Sequence, residues 1–232
     1  MKRAIAKAII ILLFLALAGC GSETSTSNTQ KTGSLVCLGD SLTAGYGASR
    51  PSEVDKSNSY PAFLQKKVTI NVINAGISGD TAAGGLARVD KDVLSNDPQV
   101  IIILLGANDF FKLRPASDTK IDLQAIINKI KNKERKIYLA SFIGDAAWEA
   151  SYLQYFPIMP PGLIALLDDY KKIYDELRSE NKDIGYISNI WKGIEKSQMS
   201  DPIHPNAKGY SIMADNIFAT IKPYLAENNL LK

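Results

Sequence analysis

From residue 34 onward, short apolar runs alternate with stretches whose apolar residues recur every three or four positions. The runs at 35–38, 69–74, 100–105, 136–142 and 184–190 predict strands. The run at 100–105 is wholly apolar and mostly β-branched, which marks a central strand buried on both faces. Between the strands, helical spacing predicts a helix over 60–68. Another starts from a cap at Asp80 or Thr81 and runs to about Leu94, with Leu86, Val89, Val93 and Leu94 on its apolar positions. Leu123, Ile126, Ile127 and Ile130 share one face of a further helix beginning near Asp122. The clearest helix spans 163–181, with Leu163, Leu167, Tyr170, Ile173, Tyr174 and Leu177 on one side. A last helix runs over 206–225, its final turn interrupted by Pro223.

Strands separated by helices in regular order predict an α/β domain with a mainly parallel sheet covered on both sides. In such sheets ligands gather beyond the carboxyl ends of the strands. Those ends carry the chemistry of this chain. After the first strand comes Gly39-Asp40-Ser41, and after the second Asn74-Ala75-Gly76-Ile77-Ser78-Gly79-Asp80. The third is followed by Gly106-Ala107-Asn108-Asp109, and the fifth, further on, by Asp201-Pro202-Ile203-His204-Pro205-Asn206.

A nucleophilic serine needs a base to take its proton and donors for the oxyanion that forms. His204 is the only histidine, so a serine–histidine mechanism built on Ser41 has to use it. Asp201, on a segment stiffened by Pro202 and Pro205, can hold one ring nitrogen and leave the other for Ser41. Gly79 offers a backbone N–H with no Cβ in the way. Asn108 offers a neutral amide, and the Ser41 N–H completes three candidate oxyanion donors. Taken singly, each block has a plainer reading: a capping turn at Gly39-Asp40-Ser41, turn chemistry at Asn108-Asp109, and a helix-capping loop around His204. Their order along the chain, each after a strand, favours a common site.

Gly39-Asp40-Ser41-Leu42, Ile77-Ser78-Gly79-Asp80-Thr81, Gly106-Ala107-Asn108-Asp109 and Asp201-Pro202-Ile203-His204-Pro205 resemble the four blocks of the GDSL family, also called SGNH hydrolases. The runs 39–47 and 74–81 are most similar to its thioesterase I/lysophospholipase/arylesterase branch. The resemblance implies a flavodoxin-like three-layer α/β/α sandwich with a central parallel sheet of about five strands. It implies Ser41 as nucleophile, His204 as base and Asp201 as its partner, with the Ser41 N–H, Gly79 and Asn108 around the oxyanion. It implies no metal and no organic cofactor. Two departures are Pro202, where glycine is often seen, and Ala107, where a second glycine is common.

The beginning of the chain follows different rules. Lys2, Arg3 and Lys7 precede an unbroken apolar run over 8–18, too short and wrongly flanked to span a membrane, so residues 1–19 are expected to be a secretory signal. Leu17-Ala18-Gly19-Cys20 resembles a bacterial lipobox, which implies cleavage before Cys20 and its lipidation. Residues 20–33, rich in Ser, Thr, Asn and Gln, then read as a flexible tether to a domain over 34–232. The expected location is extracytoplasmic, on a membrane held through Cys20. The formal charge of +3 belongs entirely to the three basic residues of the signal, so the remainder is neutral and offers no basic face for nucleic acid. Cys37 lies inside an apolar run and reads as a small core residue.

One segment, 145–162, breaks the strand–helix rhythm. It carries Trp148, Tyr152, Tyr155 and Phe156 after a strand end, where it can either pack on the domain or face substrate. The reading that best joins these features is a monomeric, membrane-tethered serine ester hydrolase acting on acyl esters, thioesters or lysophospholipids. Two alternatives remain open. The same fold could remove O-acetyl groups from envelope or extracellular glycans. A non-catalytic binding lipoprotein could cradle phosphate in the loop after the first strand, although that loop lacks both Gly-Lys-Ser/Thr and Gly-x-Gly-x-x-Gly.

Overall fold

The computed structural model describes residues 33–144 and 161–232. Signal, tether, Cys20 and the candidate contacts Trp148, Tyr152, Tyr155 and Phe156 all lie outside the described residues.

Five parallel strands form one sheet: β1 (Ser34–Gly39), β2 (Asn71–Gly76), β3 (Pro98–Leu104), β4 (Lys136–Ala140) and β5 (Gly185–Ile187), in the order β2-β1-β3-β4-β5. This is the flavodoxin-like order, and it reverses direction between β1 and β3. Leu35 to Leu38 and Val100 to Leu104 are fully buried, because both central strands are covered on both faces. Cys37 is part of this core, and burial pushes its thiol up to about 12.

The helices are α1 (Ser41–Ala44), α2 (Tyr60–Gln65), α3 (Ala82–Ala87), α4 (Val89–Asp92), α5 (Ala107–Phe111), α6 (Ala116–Ile130), α7 (Pro161–Glu180) and α8 (Ala207–Glu227). α2 packs with α8, while α3, α4, α5 and α7 pack around α6, giving the two outer layers of a three-layer α/β/α sandwich. The apolar stripes do the packing. Leu123, Ile126, Ile127 and Ile130 of α6 are fully buried, as are Tyr170, Tyr174 and Leu177 of α7 or nearly so. None of the described helices is long and apolar enough to cross a membrane.

Several boundaries differ from the sequence reading, among them α2, which ends at Gln65, and β4, which ends at Ala140. β2 begins and ends two residues later than predicted, so Asn74 lies within the strand; its amide reaches Thr43 O at 2.8 Å and Ser59 Oγ at 3.0 Å. β5 is shorter than its apolar run, because only Gly185–Ile187 pairs with β4 at the sheet's edge. α6 starts at Ala116, more than a turn ahead of Asp122, directly after Pro115. The helix expected from Thr81 to Leu94 is broken at Arg88, whose backbone leaves helical geometry (φ −109°, ψ 5°) between α3 and α4. Its expected cap holds: Thr81 Oγ1 accepts from Gly84 N at 3.2 Å. α8, by contrast, continues past Pro223 to Glu227.

Candidate active site

Ser41 opens α1 immediately beyond β1. Gly39 lets the strand end this tightly, because a Cβ there would collide with Thr43 and with Leu104 O of the neighbouring strand. Asp40 caps the short helix, its Oδ1 accepting from Leu42 N at 3.0 Å, and Gly45 ends it in the left-handed region (φ 86°). Tyr210 of α8 is buried beneath this turn and donates to Tyr46 O at 2.8 Å.

Across from Ser41, residues 199–205 form a closed loop pinned by an antiparallel bridge between Met199 and Pro205. Ser200 N donates to His204 O at 2.8 Å inside it. Asp201 Oδ1 accepts from the N–H of Ile203 (2.9 Å) and of His204 (2.8 Å), and Oδ2 lies 2.7 Å from His204 Nδ1. The other ring nitrogen, Nε2, lies 2.9 Å from Ser41 Oγ. Burial pushes the Asp201 carboxyl up, but the imidazole, both backbone N–H groups and the charge on His204 outweigh it and hold the pKa below the usual value. His204 is buried and rests against Tyr46, with ring centroids 4.5 Å apart.

The third side comes from the loops after β2 and β3. Residues 77–80 make a β-turn in which Asp80 N donates to Ile77 O at 3.2 Å, with Gly79 third at φ 81°. That is the position at which a type II turn needs a positive φ. A Cβ on Gly79 would meet no atom within 4 Å. The turn's geometry, and not a close approach, is therefore what calls for glycine here.

Asn108, in the first turn of α5, donates through Nδ2 to Asp80 O at 2.9 Å and, over a longer 3.3 Å, to Asp40 Oδ2. The amide is thus already engaged, with the weaker bond facing Asp40. Burial pushes the Asp40 carboxyl up to about 7, with Asp80 adding to the rise and the Leu42 N–H and His204 opposing it. Next to Asn108, the fully buried Asp109 accepts from Ala82 N at 2.8 Å and from Arg114 at 2.8 Å, tying this loop to the start of α3.

Ser41, Gly79, Asn108 and His204 all line one cavity of about 200 Å³, together with Leu42, Tyr46, Phe111, Phe142, Trp191 and Ile203. Of these, Phe111, Phe142 and Trp191 went unassigned in the sequence. Phe111 sits one helical turn after Asn108 and Phe142 at the end of the fourth apolar run, so both carried a positional signal. Trp191 carried none; its indole N–H donates to Phe142 O at 2.7 Å, closing the cavity wall. The cavity opens at the β1/β3 reversal, the place where such sheets bind ligands.

Residues 37–212 match the GDSL-like lipase/acylhydrolase family. The chain belongs to that family. It is 26% identical to the esterase TesA of Pseudomonas aeruginosa over 91% of this chain and 98% of the relative. To thioesterase 1/protease 1/lysophospholipase L1 of Escherichia coli K12 it is 28% identical, over 82% of this chain and 83% of the relative. A crystal structure of TesA superposes with a TM-score of 0.65 at 25% identity, covering 82% of this chain and 98% of that one. With its serine–histidine–aspartate relay, this member of the family is a serine ester hydrolase.

Proposed function

We propose that Ser41 attacks the acyl carbonyl of an ester while His204 takes its proton, with Asp201 orienting the ring. The observation that carries this reading is the continuous relay from Asp201 Oδ2 through both imidazole nitrogens to Ser41 Oγ, at 2.7 and 2.9 Å, in the wall of an apolar cavity. The tetrahedral oxyanion is held by the N–H groups of Ser41 and Gly79 and by Asn108 Nδ2, which gives up its longer bond to Asp40 Oδ2 and keeps the one to Asp80 O. Collapse of that intermediate expels the alcohol or thiol, which takes the proton from His204. Water then attacks the acyl-enzyme, again giving its proton to His204, and the acid leaves as His204 returns that proton to Ser41 Oγ.

Leu42, Phe111, Phe142, Trp191 and Ile203 favour an acyl chain over a bare acetyl group, so the substrates are short to medium acyl esters, thioesters or lysophospholipids. Trp148, Tyr152, Tyr155 and Phe156 are the further acyl-chain contacts named from the sequence in this reading. The lipobox resemblance at residues 17–20 supports a lipoprotein on the extracytoplasmic face, held by Cys20 and working as a monomer. Incorporation of labelled palmitate by the wild type and not by Cys20→Ala is the expected result for the anchor.

The test of the chemistry is hydrolysis of p-nitrophenyl acetate, butyrate and octanoate by wild type and Ser41→Ala. Turnover should rise from acetate to the longer chains and drop at least about 10⁴-fold in the variant. Undiminished turnover in Ser41→Ala would remove the mechanism. A preference for acetate, with acetate released from acetylated sugars, would make the enzyme a carbohydrate O-deacetylase.

A further inference from the structure

Arg88 is absent from every block that the sequence singles out, yet its guanidinium lies at the centre of the site's supporting structure. The side chain is only 12% exposed and makes four hydrogen bonds to four separate segments. Nη2 donates to Gly39 O at 2.9 Å, at the very end of β1, two residues before Ser41. Nη1 donates to Ala75 O at 2.7 Å, near the end of β2, and to Asp92 Oδ2 at 3.0 Å. Nε donates to Asp80 Oδ2 at 2.7 Å. The break between α3 and α4 falls at Arg88 itself.

Asp80 is the hinge of this arrangement. Its Oδ1 accepts from Thr81 N at 3.0 Å, its N–H closes the 77–80 turn that carries Gly79, and its carbonyl accepts the Asn108 amide at 2.9 Å. Through Asp80, one guanidinium fixes Gly79 and Asn108. Through Gly39 O, it fixes the strand end that carries Ser41. Only a planar fork with several donors at set angles can reach all four acceptors; a lysine ammonium can pair with Asp80 but cannot bridge both strand ends.

The geometry points to Arg88 as the positioning residue of the oxyanion hole, setting Gly79 and Asn108 relative to Ser41 through Asp80 and the ends of β1 and β2. This rests on the assignment of Gly79 and Asn108 as oxyanion donors. Such donors act mainly in the transition state, so misplacing them lowers kcat and leaves KM nearly unchanged.

The test is a double-mutant cycle on p-nitrophenyl butyrate hydrolysis, with folding checked by circular dichroism. Asn108→Ala alone should lower kcat about 10²-fold to 10³-fold. Arg88→Gln should lower kcat about 10-fold to 100-fold with KM within about 3-fold, and Arg88→Lys should recover only part of that loss. In the Asn108→Ala background, Arg88→Gln should cost several-fold less than in the wild type, because the part of its effect that runs through Asn108 is already lost. If Arg88→Gln does not fold, Asp80→Asn, which keeps its backbone carbonyl and an acceptor for Thr81 N, enters the same cycle with the same expectation. Full additivity, or a rise in KM in place of a fall in kcat, would overturn the role given to Arg88 while leaving the oxyanion assignment intact. An unaffected kcat in Asn108→Ala would remove the oxyanion assignment and this inference with it.

Discussion

The two halves of the site are built in opposite ways. The acid–base pair is local: Asp201 and His204 stand three residues apart in one loop, and Asp201 Oδ1 holds the backbone of that loop while Oδ2 holds the ring. The donor half is assembled at a distance. Gly79 and Asn108 lie on separate loops, brought together by Asp80, Arg88, Asp109 and the parallel register that sets Gly39 beside Gly76 on one side and Leu104 on the other. A stiff loop can orient an acid–base pair almost by itself. The proposed oxyanion hole needs the whole sheet.

The sharpest way to break the comparison is at Asp201. In Asp201→Asn the Oδ1 contacts to both backbone N–H groups can persist, so the loop should keep its shape. The amide nitrogen in place of Oδ2 cannot accept from the imidazole, and the ring is driven to the wrong tautomer for taking the Ser41 proton. We expect kcat for p-nitrophenyl butyrate to fall about 10⁴-fold. The melting temperature should stay within about 4 °C of wild type, the shift of roughly 1 kcal/mol in a domain of this size. A variant that retained a tenth of its activity would show that the acid–base pair is not the local device described. One that unfolded would show that the loop depends on its carboxylate.

The same contrast governs how much could be read from the sequence. The acid–base pair was legible because Asp201 and His204 are neighbours in the chain and because His204 is the sole histidine. β1 and β3 were legible because strands buried on both faces are apolar throughout. The proposed donors stood out as residue types after strand ends, but the groups that support them did not. Arg88 reads as a polar residue on an amphipathic helix, and only the fold shows it turned inward to the ends of two strands. The break it makes between α3 and α4 was missed for the same reason, since helical periodicity continues straight through it. The early start of α6 was missed because its first turn carries few apolar residues. At Gly79 the sequence suggested a close approach, whereas the structure shows a positive φ with open space around it.

Asp40 offers a gentler test of the donor half, read through stability. Its carboxyl is 1% exposed, and burial lifts its pKa in the folded protein from 3.8 to about 7. Between those values the folded protein keeps a proton that the unfolded chain has released. Folding therefore favours the protonated form, and wild-type stability should decline as pH rises through this window. Asp40→Asn cannot ionise, keeps a side-chain oxygen to cap Leu42 N, and should lack this decline. Asp201, whose pKa is lowered, contributes stability that is lost only as pH falls below the ordinary carboxylate range, outside the window. Urea unfolding of the two proteins at pH 5 and pH 8 should show Asp40→Asn gaining on wild type by roughly 2–3 kcal/mol across that range. Parallel pH dependence would mean that the folded protein holds Asp40 ionised throughout, as a full charge acceptor for Asn108. The donor half would then owe its order to that charge as well as to Arg88 and Asp80.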